Sequence, residues 1–238
     1  MAQTTQIRRL DVAENEAQRI FKLQREGYLR EPYPTFAVRR RRLQALEQLL
    51  LTNQDAITDA INADFGHRSA EESKMLEIFV TIDGIRDTLK HLRSWMQPQR
   101  RHTSLVFATG TSRVIPQPKG VVGIVAPWNY PLLLSMSPLT SAIAAGNRVM
   151  LKLATNSQNF CRLLAAKFRE AFSEDVIAIL PGVKAQDFST LPFDHMVFTG
   201  SADVGRTVMH AAAENLTPVT LELGGKSPTI ICDDFDVE

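Results

Sequence analysis

Cysteine is scarce in this chain: Cys161 and Cys232 are the two in 238 residues. Two thiols in so long a chain make no disulfide framework and fit a reducing compartment, so the expected location is the cytoplasm. Long apolar runs are missing as well. Stretches such as Val121–Val125 fall far short of the ~20 residues that span a bilayer, and Met1–Leu10 lacks the apolar core of a signal peptide. Neither sign of charge dominates, since 27 Lys and Arg stand against 26 Asp and Glu, a formal net charge of +1. A near-neutral protein has no electrostatic reason to bind nucleic acid or an anionic membrane, and no such partner is expected. The basic run Arg39–Arg42 reads as the solvated face of a helix rather than a nucleic-acid patch.

What is present is ordinary for a globular protein: 44% hydrophobic and 22% charged residues, without a visible repeat. Residues 1–110 read as a helical region. Leu43, Leu46, Leu49 and Leu50 form one amphipathic stripe, and Leu76, Phe79, Val80, Ile85, Leu89, Leu92 and Met96 form another. Residues 111–238 read differently. After a short strand near Arg113–Ile115, apolar strands alternate with helices: strands at Val121–Ala126, Arg148–Leu153, Val176–Leu180, His195–Thr199, Val219–Leu223 and Thr229–Cys232, helices at Leu132–Ala145, Gln158–Phe172 and Val204–Ala213. That alternation implies an α/β fold, a Rossmann-like parallel sheet with helices on both faces. Ligands of such sheets sit outside the carboxyl ends of the strands.

Four segments at those ends carry possible chemistry. Phe198–Thr199–Gly200–Ser201 leads into a helix with Val204 and Gly205, a strand–turn–helix context in which a helix start can bind a phosphate, or an ordinary turn. The spacing is neither the dinucleotide fingerprint Gly-x-Gly-x-x-Gly nor a P-loop, which argues against a Rossmann-type alcohol dehydrogenase. Pro127–Trp128–Asn129–Tyr130–Pro131 is a stiff loop whose Asn129 amide could hold an oxyanion or cap the next helix, and position alone favours the cap. Lys152 ends a strand, where it could reach a ribose or phosphate or lie solvated. In Leu221–Glu222–Leu223–Gly224–Gly225–Lys226–Ser227–Pro228, Glu222 between leucines reads as a partly desolvated base or as a salt-bridged strand end.

Taken together, and in this order, with Gly146–Asn147 before Lys152, these segments resemble the aldehyde dehydrogenase superfamily along essentially the whole chain. Gly120–Val121–Val122–Gly123–Ile124 and Leu191–Pro192–Phe193–Asp194–His195 most resemble its coniferyl aldehyde dehydrogenase group. The resemblance implies NAD or NADP as cofactor, a small aldehyde, with an aromatic one in view, as substrate, and no metal. It implies a cysteine thiolate that adds to the aldehyde, with Asn129 holding the oxyanion and Glu222 activating the water that hydrolyses the thioester. It places Pro127, Trp128, Lys152, Gly200, Ser201, Val204, Gly205, Leu223 and Gly224 at the cofactor, and implies homo-oligomers among full-length relatives.

Three departures from the family pattern qualify this. The family's nucleophile lies a few dozen residues beyond the glutamate, past residue 238 here, so the catalytic domain that follows is expected to be absent and the chain inactive alone. Cys161 reads as a helix core cysteine and Cys232 as a buried strand cysteine. Thr155 stands where the family commonly has a glutamate that meets the ribose, and Gly182–Thr190 is short and lacks a glycine, so the adenine side should be altered. The competing reading is a catalytically inactive nucleotide-binding or interaction module.

Overall fold

The computed structural model describes residues 2–233, with side chains from Glu16 onward apart from Gln186. Helices come first: α1 (Ala2–Arg30), α2 (Phe36–Thr52), α3 (Gln54–Phe65), the single turn α4 (Ala70–Glu72), a π-helical segment (Ser73–Phe79) and α5 (Val80–Trp95). A two-stranded antiparallel ribbon follows, β1 (Gln99–Arg101) with β2 (Ser112–Val114), carrying a 3-10 turn at Leu105–Phe107. Then strands and helices alternate as β3 (Val121–Val125), α6 (Leu133–Ala144), β4 (Arg148–Lys152), α7 (Gln158–Ala171), β5 (Ile177–Ile179), α8 (Ala185–Ser189), β6 (His195–Gly200), α9 (Ala202–Ala213) and β7 (Val219–Leu223).

The five strands from β3 onward form one parallel sheet in the order β5-β4-β3-β6-β7. The chain builds outward from β3 to one side, then returns across it to lay down β6 and β7. This reversal makes the β3–β6 junction the topological switch point, where a crevice opens at the carboxyl ends. Side chains alternate across the sheet. Val122, Ile124, Val149, Leu151, Ile177 and Ile179 face a core shared with α2, α3, α5, α6 and α7. Val121, Val125, Met150, Met196 and Phe198 face a second core with Ala17 and Ile20 of α1, Phe188 of α8 and Val208 of α9. The α/β architecture with helices on both faces is thus as the periodicity implied.

Polar side chains tie the first helix to the sheet. Gln24 donates through Nε2 to the carbonyls of Val149 and Glu174, both at 2.9 Å. Arg148, at the start of β4, donates to the Gly27 carbonyl at 2.7 Å and pairs with Asp175 at 2.8 Å.

Three expectations need correction. Thr229–Cys232 is not a strand: residues 224–232 carry no regular structure, and Ile230 and Ile231 are exposed. The Gly224–Gly225 pair favours turning and Pro228 has no N–H to give a ladder. Cys232 is accordingly exposed, whereas Cys161 is buried in the α7 core as expected. In the second helical stripe, Leu76, Phe79 and Val80 are exposed, while Ile78, Ile82, Ile85 and Leu92 are buried. Steps of three and four back from Ile85 reach Ile82, Thr81, Ile78 and Glu77, all buried, so Leu76, Phe79 and Val80 lie on the opposite side of the same helix. The run Arg39–Arg42 is not all solvated either. Arg39 is buried and donates to the carbonyls of Pro34 (2.9 Å), Ala144 (3.1 Å) and Ala145 (2.7 Å), satisfying the carboxyl end of α6.

Candidate functional site

A cleft of about 1190 Å³ opens at the carboxyl ends of β3, β4, β6 and β7. It is lined by Pro127, Trp128 and Asn129 after β3, Lys152 at the end of β4, Gly200, Ser201 and Val204 at the β6–α9 junction, and Glu222, Leu223 and Gly224 at the end of β7. Every residue that the resemblance gives a cofactor or catalytic role lines it except Gly205, which packs behind it against Leu223. The parallel register is what gathers them. Val125 sits beside Lys152 on one side and Phe198 on the other, and Gly200 beside Leu223. Thr155 and Asn156, Ser137 and Pro138 of α6, and Ala185 of α8 complete parts of the wall.

At the β6–α9 junction, Ser201 is the N-cap of α9, its hydroxyl accepting from Val204 N–H at 3.4 Å. That bond occupies one of the free N–H groups of the first turn. Gly205 is buried where the helix crosses β7, and a methyl group built there would stand 2.8 Å from Leu223 Cδ2. Glycine therefore lets helix and strand close up behind the cleft. At Gly200 the added methyl would meet the Phe198 ring at 2.7 Å.

Lys152 is not a solvated strand-end lysine. It is 4% exposed, its Nζ donates to the Leu153 carbonyl at 2.9 Å, and burial lowers its pKa, with the Cys161 thiol the one group pulling the other way. It forms no ion pair among the described residues. Cys161 itself is pushed up to about 11 by burial and is an inert core thiol at neutral pH. Neither Cys161 nor Cys232 lines the cleft. Glu222 and Asn129 are both exposed, so the expected desolvation of Glu222 by its flanking leucines is not met among the described residues.

The expected helix cap by Asn129 is replaced by a different arrangement. The Asn129 side chain makes no cap; instead Glu77, fully buried on the π segment, accepts from Leu132 N–H at 2.7 Å and Leu133 N–H at 3.3 Å. Burial raises the Glu77 pKa, against the Leu132 N–H and the Arg68 charge, which lower it. Arg68 approaches Glu77 Oε1 at 3.2 Å and donates to the Asn129 carbonyl at 2.6 Å. Neither Arg68 nor Glu77 had been singled out from the sequence. The available signal was Glu77 alone in the apolar stretch Met75–Ile82, since a lone charge in such a run needs a buried partner.

The donor set suits a dinucleotide. The cleft is about as large as the largest usual ligand sites, of ~300–1000 Å³. It offers one buried ammonium without an acidic partner, a capped helix start and hydroxyl and amide groups at Thr155 and Asn156. Among the described residues no three His, Cys, Asp or Glu side chains gather as metal ligands, and no helix is long and apolar enough to cross a membrane.

Comparison with known proteins agrees with the geometry. A "Probable coniferyl aldehyde dehydrogenase" of Pseudomonas aeruginosa is 48% identical over 226 residues, covering 94% of this chain and 48% of the relative. The "Coniferyl aldehyde dehydrogenase" of a Pseudomonas species is 39% identical over 215 residues, 90% of this chain and 44% of the relative. The chain spans about half the length of the curated relatives it matches. Among solved structures, a substrate-bound Staphylococcus aureus AldH superposes with a TM-score of 0.85 at 33% identity, covering 89% of this chain and 46% of the other. An NAD+ complex of a Bacillus cereus aldehyde dehydrogenase superposes with a TM-score of 0.80 at 27% identity, covering 94% and 46%. The Aldehyde dehydrogenase family profile matches residues 7–238, and the chain belongs to that family.

Proposed function

We propose that this chain forms the dinucleotide-binding half of an NAD(P)-dependent oxidation of an aldehyde to the acid, with an aromatic, coniferyl-type aldehyde as the substrate class. The observation that carries the reading is the convergence of Lys152, the Gly200–Ser201 helix start, Asn129 and Glu222 on one cleft at the switch point of a parallel sheet. Bound NAD or NADP would supply hydride acceptance. Lys152 would hold the adenosine ribose, or the phosphate on it when the cofactor is NADP. Gly200, Ser201 and Val204, with Gly205 behind them, would form the pyrophosphate wall, and Pro127, Trp128, Leu223 and Gly224 the remaining contacts. The Asn129 amide would donate to the oxyanion formed when a thiolate adds to the aldehyde, and the Glu222 carboxylate would take a proton from the water that hydrolyses the thioester.

The thiolate is the one part the cleft does not hold. Cys161 is sealed in the core and Cys232 stands outside the cleft wall. This favours a second reading for the chain on its own, a nucleotide-binding module without turnover. The two separate in one experiment. Calorimetry with NAD and NADP should give binding to this chain in the micromolar-to-millimolar range, abolished by filling the cleft with Gly200→Trp, while an aromatic aldehyde yields no reduced cofactor. Joining the chain to the C-terminal half of the Pseudomonas aeruginosa relative should restore reduction. Absence of nucleotide binding by the folded chain would refute the assignment of the cleft. Turnover by the chain alone, lost in Cys232→Ala, would refute the placement of the nucleophile outside it.

A further inference from the structure

The Pro127–Pro131 loop has no regular structure, so whatever it offers the cleft depends on how its backbone is held. The segment from Phe65 to Phe79 holds it at its middle and at its exit. Glu77, fully buried, binds the loop's exit through Leu132 N–H and Leu133 N–H. Arg68, whose side chain is 4% exposed, binds its middle through the Asn129 carbonyl at 2.6 Å. The guanidinium also lies over two rings, 4.5 Å from the centroid of Tyr130 within the loop and 4.8 Å from that of Phe65. Phe65 in turn meets the Trp128 ring, centroids 5.9 Å apart. The two charges contact one another at 3.2 Å, and Arg68 also reaches Glu72 at 3.2 Å on its solvent side.

A buried ion pair is a poor source of net stability, because desolvation consumes most of the attraction. The backbone bonds of this one all go to a single target, while Arg68 Nε and Glu77 Oε1 are buried without a hydrogen bond. All three hydrogen bonds between this pair and backbone involve residues 129–133, about sixty positions away in sequence. A π segment places Glu77, and such segments are uncommon and concentrate at functional sites. We infer that Arg68 and Glu77 are positioning residues: they clamp the peptide of Asn129 and so set the direction in which its side-chain amide meets the cleft. The inference rests on the reading of Asn129 as the oxyanion donor.

Amide spectroscopy and hydrogen exchange on the chain itself, without nucleotide or aldehyde, test it. Arg68→Met should shift or split the Asn129 side-chain amide signal (identified by its loss in Asn129→Ala) and the Trp128 indole signal, leaving amides of β3 and β4 in place. Arg68→Lys should return part of the wild-type signal, since one ammonium can serve the carbonyl or the carboxylate but not both. Glu77→Gln should speed exchange at Leu132 and Leu133 by about ten- to a hundredfold, the effect of weakening one charge-assisted bond, without changing exchange at Ile124 or Val149. Unmoved Asn129 and Trp128 signals in Arg68→Met would overturn the inference. So would acceleration spread evenly over the sheet, or unfolding of all three variants, since either result means the pair serves general stability. Loop order is read here without substrate. A wrong role for Asn129 would appear instead as normal turnover of Asn129→Ala in the joined enzyme, so the two failures are distinguishable.

Discussion

Replacing Lys152 with methionine should stabilise the empty protein and weaken its hold on nucleotide. The ammonium is 4% exposed and has one neutral hydrogen-bond partner, the Leu153 carbonyl, with no carboxylate beside it among the described residues. Burying a charge on such terms costs more than the one bond returns. Methionine has nearly the same length and no charge. The expected gain is ~1 kcal/mol at neutral pH, which for a chain of this size raises the melting temperature by about 2–4 °C. A bound cofactor reverses the sign. Losing one charge-assisted bond to a ribose or phosphate is worth about 1.5–3 kcal/mol, so Kd should rise about ten- to a hundredfold.

The pH dependence follows from the direction of the shift. Burial lowers the Lys152 pKa in the folded state, so between that value and the ordinary value of about 10.4 the unfolded chain binds more protons. Wild-type stability should therefore rise with pH across that window, and the advantage of Lys152→Met should shrink as pH rises toward it. Thermal melts of both proteins at several pH values, with calorimetric titration of NAD and NADP, read all three quantities. A Lys152→Met protein that melts lower than wild type without nucleotide, or that keeps wild-type Kd, would refute the reasoning.

Other outcomes follow from the same contacts. In the joined enzyme, Asn129→Ala should lower turnover by about 10²–10³-fold, as for other single oxyanion donors, and Glu222→Gln should slow thioester hydrolysis so that a burst of reduced cofactor precedes a slow steady state. Gly146→Ala should cost ~2–4 kcal/mol in chemical denaturation, because Gly146 sits at φ 93 and an added methyl would press on the Arg39 guanidinium 2.7 Å away. The apolar tip Leu105–Val106–Phe107, exposed at 92%, 85% and 68%, should bind a hydrophobic dye, and Val106→Asp with Phe107→Ser should reduce that signal without lowering the melting temperature.

The sheet was legible in the sequence because its strands are short apolar runs bounded by glycine and proline, with helical periodicity between them. Val121–Val125 and Arg148–Lys152, buried along their whole length, are the plainest cases. Most of the cleft was legible for the same reason, since parallel strands deliver their carboxyl ends to one edge and the candidate residues all stood there. What local pattern could not carry was long-range pairing. Arg68 and Glu77 act on a loop some sixty residues away, and no spacing rule joins them to it. Nor does a strand-end position reveal whether a lysine such as Lys152 is covered, because its cover comes from what packs over the strand. The misjudged stripe has a local cause. Steps of three and four join Leu76, Phe79 and Val80 to one another, but they mark the side of the helix away from Ile85, and spacing alone does not say which side is covered.

The two sides of this stretch also set how the helix tolerates substitution. Met75, Leu76, Phe79 and Val80 are turned outward, at 62%, 44%, 61% and 43% exposure, while Glu77 and Ile78 between them are sealed. A saturation library across this stretch should therefore read as two interleaved maps: polar residues accepted at 75, 76, 79 and 80, and almost nothing accepted at 77 and 78. Deleting Phe79 would turn every residue before it by about 100° relative to α5. The carboxylate at 77 would then swing away from the loop, although Glu77 itself had not been altered. In this helix a one-residue deletion is a larger change than most substitutions, and the length of the segment is as much a part of the design as its composition.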